Sequence, residues 1–213
     1  MKIAIILSGC GNRDGSELQE SLSLMLAIDR RNWHYQCFAP EGNYRVVSHC
    51  DGSEDGEERD IYVESARIAR GDIRPLSQYR PDDFDALALP GGMGAARNLS
   101  TFAFEGPAMK VRPDIEKAIL DTYKTHKPVL AMCIAPMVLA KVLGKYGVKL
   151  TLGQPCQAAT VAQQLGAKVQ YCTSTDVCVD EEHRVYTTPA YMVATRISEI
   201  FEGADKLVGY CKG

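Results

Sequence analysis

Short, uninterrupted apolar runs alternate along the chain with longer stretches in which apolar residues recur every three or four positions. Lys2–Leu7 (KIAIIL), Tyr35–Ala39, Phe84–Leu89 (FDALAL) and Pro128–Met132 (PVLAM) are of the first kind. Their length and continuity predict strands buried on both faces. Glu17–Arg31 is of the second kind, an expected amphipathic helix with Leu18, Leu22, Met25 and Leu26 on its apolar face. The same reading predicts helices over Glu58–Arg70, Asp114–Thr125, Ile134–Lys145 and Ala158–Leu165, with a last helix from near Tyr191 to Gly203 or beyond. Lys149–Leu152 reads as a short strand, and Val177–Val179 with Arg184–Thr187 as a hairpin. Residues 40–57 are polar and turn-rich, so part of that stretch is expected to be loop.

Strands alternating with helices point to an α/β fold: a mainly parallel sheet with helices on both faces and a small hairpin. No linker divides residues 1–213, so a single domain is expected. Ligands of such folds bind outside the carboxyl ends of the strands. The loops at residues 8–17, 90–98, 133–135 and 188–191 therefore carry the interest.

Composition narrows the function classes. The formal charge is −3 with no basic tract, which disfavours a nucleic-acid partner. The amino terminus lacks the long apolar region of a signal peptide, and no run approaches the length of a membrane span. A cytoplasmic protein is expected. Eight cysteines without a CxxC, and four histidines at no zinc-like spacing, favour reduced thiols over disulfides or a metal. No cofactor is expected.

Cys133 is the sharpest chemical signal. It joins a buried strand to a helix within Ala131-Met132-Cys133-Ile134-Ala135. A nucleophile elbow needs small residues two places either side, because the turn presses them against neighbouring backbone. The elbow predicts strained backbone angles at Cys133, and a helix start directly after it favours a thiolate. Pro90-Gly91-Gly92 follows the third strand, where backbone N–H groups can approach a ligand without a Cβ in the way. With the N–H of Ile134, this glycine pair would make an oxyanion hole. Neither GGMGAA nor Gly9-Cys10-Gly11 completes a phosphate-binding motif.

Glu17 opens the first helix and is a candidate acid for the thiol; Glu20, one turn later, is a rival for the role. No histidine lies in the elbow, and His183 falls in a hairpin turn beside Glu181 and Glu182, an expected solvated position. A Cys–His–acid triad is therefore unsupported.

The segments LSGCGNRDGSE, CFAPEG, ESARIARGDIRPL, ALPGGMGAARNLS, AMCIAP and VYTTPAYM together resemble the ElbB family. That family lies in the ThiJ/PfpI branch of the class I glutamine-amidotransferase-like fold. The resemblance implies a flavodoxin-like three-layer sandwich, an elbow nucleophile at Cys133, an acidic partner at Glu17 and an oxyanion hole at Gly92 and Ile134. Within the same motifs, Gly91, Cys10, Asn98 and Pro189 are expected near the pocket. It further implies a homodimer and a weak, glutathione-independent glyoxalase activity turning glyoxal or a related 2-oxoaldehyde into a hydroxy acid; a protein-deglycase activity is the variant. The competing readings are a thiol redox sensor or chaperone-like protein, and a glutaminase-type subunit. Ile134 stands where many relatives have histidine, which argues against the last.

Overall fold

The computed structural model describes residues 1–211. Its strands are β1 (Lys2–Ile6), β2 (His34–Ala39), β3 (Asn43–Arg45), β4 (Glu58–Asp60), β5 (Ile73–Pro75), β6 (Ala86–Leu89), β7 (Val129–Met132), β8 (Lys149–Leu150), β9 (Lys168–Val169), β10 (Cys178–Asp180) and β11 (Val185–Thr188). The helices are α1 (Leu18–Asp29), α2 (Ile61–Ile68), α3 (Met93–Arg97), α4 (Phe102–Glu105), α5 (Pro113–Lys124), α6 (Pro136–Leu143), α7 (Gln157–Gln164) and α8 (Ile197–Gly209).

Seven strands form the central sheet in the order β10-β11-β7-β6-β1-β2-β5, every pair parallel except the hairpin β10–β11. β6 and β7 are buried throughout, as a parallel strand covered on both faces must be. The flanking helices pair α1 with α8 and α5 with α6. This is the expected flavodoxin-like α/β sandwich. From β1 the chain winds outward through β2 to β5, then returns to β6 and winds the other way through β7 to β11. That reversal opens a crevice at the carboxyl ends of β1 and β6, with β7 and β11 beside them.

Several boundaries differ from expectation. Glu58–Asp60 is a strand paired antiparallel with Asn43–Arg45, and the helix starts only after Asp60, whose carboxylate accepts from the Val63 N–H at 2.8 Å. The edge strand β5 escapes the apolar-run criterion because it has three residues and ends in proline, tolerated at an edge. α3 and α4 are too short to show periodicity. A turn at residues 133–135 separates β7 from α6, which begins at Pro136. The last helix begins at Ile197 rather than near Tyr191, which lies in a separate 3-10 turn, Ala190–Met192. His183 is not solvated: its side chain is mostly buried, with Nδ1 3.0 Å from an Asp180 carboxylate oxygen.

The most consequential difference concerns α1. Leu18, Leu22 and Leu26 lie on the outside, Leu22 being 52% exposed. The buried face instead carries Glu20, Leu24, Ala27 and Ile28. The helix is rotated from the orientation its leucines suggest, and a carboxyl group is turned inward.

Candidate active site

Cys133 occupies the elbow with φ +59°, in the left-handed region. A side chain there costs roughly 1–2 kcal/mol, so the surroundings must hold it. The Cys133 N–H donates to the Thr188 carbonyl at 3.0 Å, tying the elbow to the end of β11, and Ala135 N–H closes the turn on the Met132 carbonyl at 3.0 Å. Ala131 and Ala135 are fully buried against this turn. Beside it a Cβ on Gly91 would lie 2.4 Å from the Cys133 Cβ and 2.5 Å from Glu20 Oε2. Only glycine fits there. Gly92 has φ +95°, and a Cβ on it would lie 2.3 Å from the Gly15 carbonyl oxygen. The two glycines thus bring the β6 loop against both the elbow and the β1 loop. The N–H groups of Gly92 and Ile134 both converge on the Cys133 Sγ.

The acid hydrogen-bonded to that sulfur is Glu20. Its side chain is wholly buried, with Oε2 accepting from the Gly91 N–H at 2.9 Å and Oε1 from the Tyr191 N–H at 3.2 Å. Tyr191 reaches it because Ala190 adopts φ +43° just after β11. Three loops therefore fix one carboxyl group. Burial, then the nearby Glu17 carboxylate, push Glu20 up to about 7. Burial and Glu20 likewise push the Cys133 thiol up, against the lowering pull of the Gly92 and Ile134 N–H groups. Two anions in contact in a buried site are strongly disfavoured, so the pair holds a proton between them near neutrality. The expected low-pKa thiolate at a helix start is corrected on both counts. The helix begins three residues later, and desolvation outweighs the local N–H donors.

Glu17 does something else. It is the N-cap of α1: its backbone is extended, and Oε2 accepts from the Glu20 N–H at 2.6 Å. Its own N–H donates to the Gly91 carbonyl at 2.9 Å. The expected Glu17–Cys133 contact is therefore replaced by a Glu20–Cys133 contact. A cap side chain folds back on its own helix, and the residue one turn on points into the core. Partial burial raises the Glu17 carboxyl from its ordinary value, against the pull of the backbone N–H groups of its own helix.

A cavity of about 800 Å³ opens over the sulfur. Cys133, Gly92 and Ile134 form part of its wall, Glu17 and Asn12 add polar groups, and Met93, Phe102, Tyr191 and Met192 supply apolar surface. No lysine, arginine or histidine lines it. Sequence reasoning missed the apolar contributors: α3 and α4 were invisible to periodicity, and Tyr191 and Met192 were placed in a helix.

The remaining pocket candidates fall elsewhere. Gly91 lies under Cys133 as a spacer and as a donor to Glu20. Cys10 is outside the cavity wall; its thiol is raised by burial and by Glu64, in the β1 loop next to Arg67 and Asp14. Asn98 acts as a brace, its Nδ2 donating to the Ser8 carbonyl at 2.8 Å and the Asp14 carbonyl at 2.6 Å. Pro189 precedes the 3-10 turn without lining the cavity; the two residues of that turn that do are Tyr191 and Met192. Short polar loops crossing one another leave room in the crevice for only some of their side chains. Among the described residues, no group of three histidine, cysteine or acidic side chains is placed to hold a metal, and no helix is long and apolar enough to cross a membrane.

No family model matches the chain. It is 37% identical over 218 residues to the human mitochondrial glutamine amidotransferase-like class 1 domain-containing protein 3, covering 97% of this chain and 81% of that protein. A crystal structure of an isoprenoid biosynthesis protein with an amidotransferase-like domain, from Ehrlichia chaffeensis, superposes with a TM-score of 0.92 at 34% identity, over 99% of this chain and 98% of that one. The chain belongs to this ElbB-like, amidotransferase-like family. More distantly, glyoxalase III from Candida albicans shares the fold, with a TM-score of 0.63 at 16% identity over 99% and 97% of the two chains.

Proposed function

We propose that the protein is a cofactor-independent glyoxalase acting on neutral 2-oxoaldehydes, with Cys133 as nucleophile and Glu20 as proton carrier. The observation that carries this reading is the buried Glu20–Cys133 pair beside the Gly92 and Ile134 backbone N–H groups. The shared fold of the Candida albicans glyoxalase III supports the reading.

The Cys133 sulfur adds to the aldehyde carbon, the S–H proton passing to Glu20 as the C–S bond forms. The former carbonyl oxygen is stabilised by the Gly92 and Ile134 N–H groups, which lie next to the sulfur. Protonation of that oxygen gives a hemithioacetal. Glu20 then removes the C–H proton of the sulfur-bearing carbon, giving an enediol, and a proton returned to the neighbouring carbon leaves a thioester of the hydroxy acid. One carbon is oxidised as its neighbour is reduced, so no external redox partner enters. Water hydrolyses the thioester and regenerates the thiol. A carboxyl near 7 is matched to taking and returning protons at neutral pH.

The cavity wall argues for neutral substrates and against glutamine, whose amino-acid end carries charges that no lysine or arginine there would meet. The test is a product assay with glyoxal, methylglyoxal and phenylglyoxal, following glycolate, lactate and mandelate. Wild type is expected to form the hydroxy acid without glutathione, and Cys133→Ala to form none. Absence of product with every aldehyde, or product undiminished in Cys133→Ala, overturns the reading.

A further inference from the structure

On the far side of α4 lies a second cavity, of about 720 Å³, whose chemistry is opposite to the first. α4 is the partition: Phe102 and Ala103 face the sulfur, while the flanking Thr101 and Phe104 face the second space. Four cationic side chains, Arg45, Arg97, Lys110 and Arg112, line it against two carboxylates, Glu54 and Glu58. The whole chain runs the other way, with 24 lysines and arginines to 27 acids.

The cations divide into two held and two free. Arg97 is 16% exposed, bonded to Glu54 at 2.7 Å, and its guanidinium lies 5.2 Å from the Phe104 ring centre. Arg112 is bonded to both oxygens of Asp114 at 3.1 and 3.0 Å and to the Glu41 carbonyl at 2.9 Å. These contacts fix two guanidinium groups in place before any ligand arrives. Among the described residues, the Arg45 guanidinium and the Lys110 ammonium have no carboxylate, carbonyl or ring partner; Glu58 is Arg45's cross-strand neighbour. Fixed and unpaired cations around a concave wall suit an oxyanion, because guanidinium groups match its paired oxygens and an ammonium adds point charge. The volume lies within the range of small-molecule sites.

We infer that this cavity binds a small organic polyanion, with a phosphate or clustered carboxylates held by Arg45, Lys110, Arg97 and Arg112. The site is independent of the aldehyde chemistry. Titration calorimetry of the full chain with inorganic pyrophosphate and, separately, citrate tests it and separates the two anion chemistries. Saturable binding of either at millimolar concentration or below is expected, and the arm that responds names the chemistry. Arg45→Gln/Lys110→Gln, changing two exposed side chains that hold no structural contact, is expected to weaken binding by roughly tenfold or more. Cys133→Ala is expected to leave it unchanged. No saturable heat with either anion overturns the inference, as does equal affinity in the double variant.

Discussion

The two sides of the first turn of α1 carry the same functional group in different surroundings. On the outer side Glu17 is partly exposed, accepts a hydrogen bond from its own helix, and lines the cavity. On the inner side Glu20 is wholly buried, spans backbone donors from two other loops, and touches the Cys133 sulfur. Both are raised by burial, Glu20 to about 7 with the Glu17 carboxylate adding to the effect. The contrast shows that proximity to a cleft does not set a carboxyl's environment. Desolvation and donors that fix a carboxyl's direction act together on only one of the two residues, and these are the features the proposed proton carrier requires.

The largest effect that tests this division is on turnover. Glu20→Gln removes the proton acceptor and sets an amide NH2 against one of the two backbone N–H donors, so kcat is expected to fall about 10²–10⁴-fold. Glu17→Gln keeps an oxygen to cap the helix and is expected to stay within roughly threefold of wild type. Steady-state kinetics on 2-oxoaldehydes measure both. The reverse ranking would restore Glu17 as the acid and break the comparison.

Next in size is Gly91→Ala. Its Cβ would collide with the Cys133 Cβ at 2.4 Å and with Glu20 Oε2 at 2.5 Å, separating the pair it now spaces. Overpacking of this kind costs about 1–3 kcal/mol, and kcat is expected to drop at least about tenfold even where the fold survives. A thermal melt alongside the kinetics separates the two losses; normal turnover in a folded Gly91→Ala would show that the spacing is not needed.

The pH dependence of stability sharpens the same point. Glu20 rises from an ordinary 4.5 to about 7 on folding, so between those values the folded state binds more protons than the unfolded. Its contribution is therefore most favourable below about 4.5 and is lost as pH climbs through 7. Wild-type Tm, compared with Glu20→Gln at each pH, is expected to decline between pH 5 and 8. A pH-independent difference would mean that Glu20 is ionised in the folded protein throughout that range.

Much of this was legible before the structure. The elbow could be read because its constraints are local: Ala131, Cys133 and Ala135 must be small or reactive at fixed spacing, whatever the rest of the chain does. Ile134 follows from the same turn, and Gly92 from the glycine pair after β6. The parallel sheet was equally plain, since β1, β6 and β7 are unbroken apolar runs. The partner acid was harder, because it depends on which face of α1 is buried. Leu18, Leu22 and Leu26 advertise one face, and tertiary packing buries the other. The signal for Glu20 was present in its spacing to Leu24 and Ile28, which puts all three on one stripe. A charged residue at the head of that stripe argued against it as a core face, and that apparent defect is the carboxyl set against Cys133. Tyr191 escaped because its contribution is a backbone N–H, presented by a left-handed Ala190 that no side-chain pattern announces.

The smallest expected effect falls on Glu17 itself and asks whether its capping role is enough to explain it. Its side chain accepts from the Glu20 N–H at 2.6 Å, and its main chain is anchored to the Gly91 carbonyl at 2.9 Å. Glu17→Ala deletes the first contact and keeps the second. Loss of an N-cap typically costs about 1 kcal/mol, which in a chain of this size is about 2–4 °C of Tm. Because the Glu17 carboxylate also helps to raise Glu20, its removal is expected to move the acid limb of the kcat profile to lower pH while the plateau holds. Glu17→Gln should reproduce the shift in the limb with less of the loss in Tm, since it keeps the cap and removes the charge. If Glu17→Ala instead lowers the plateau as far as Glu20→Gln does, the outer carboxyl is part of the chemistry, and the two sides of the turn act as one site.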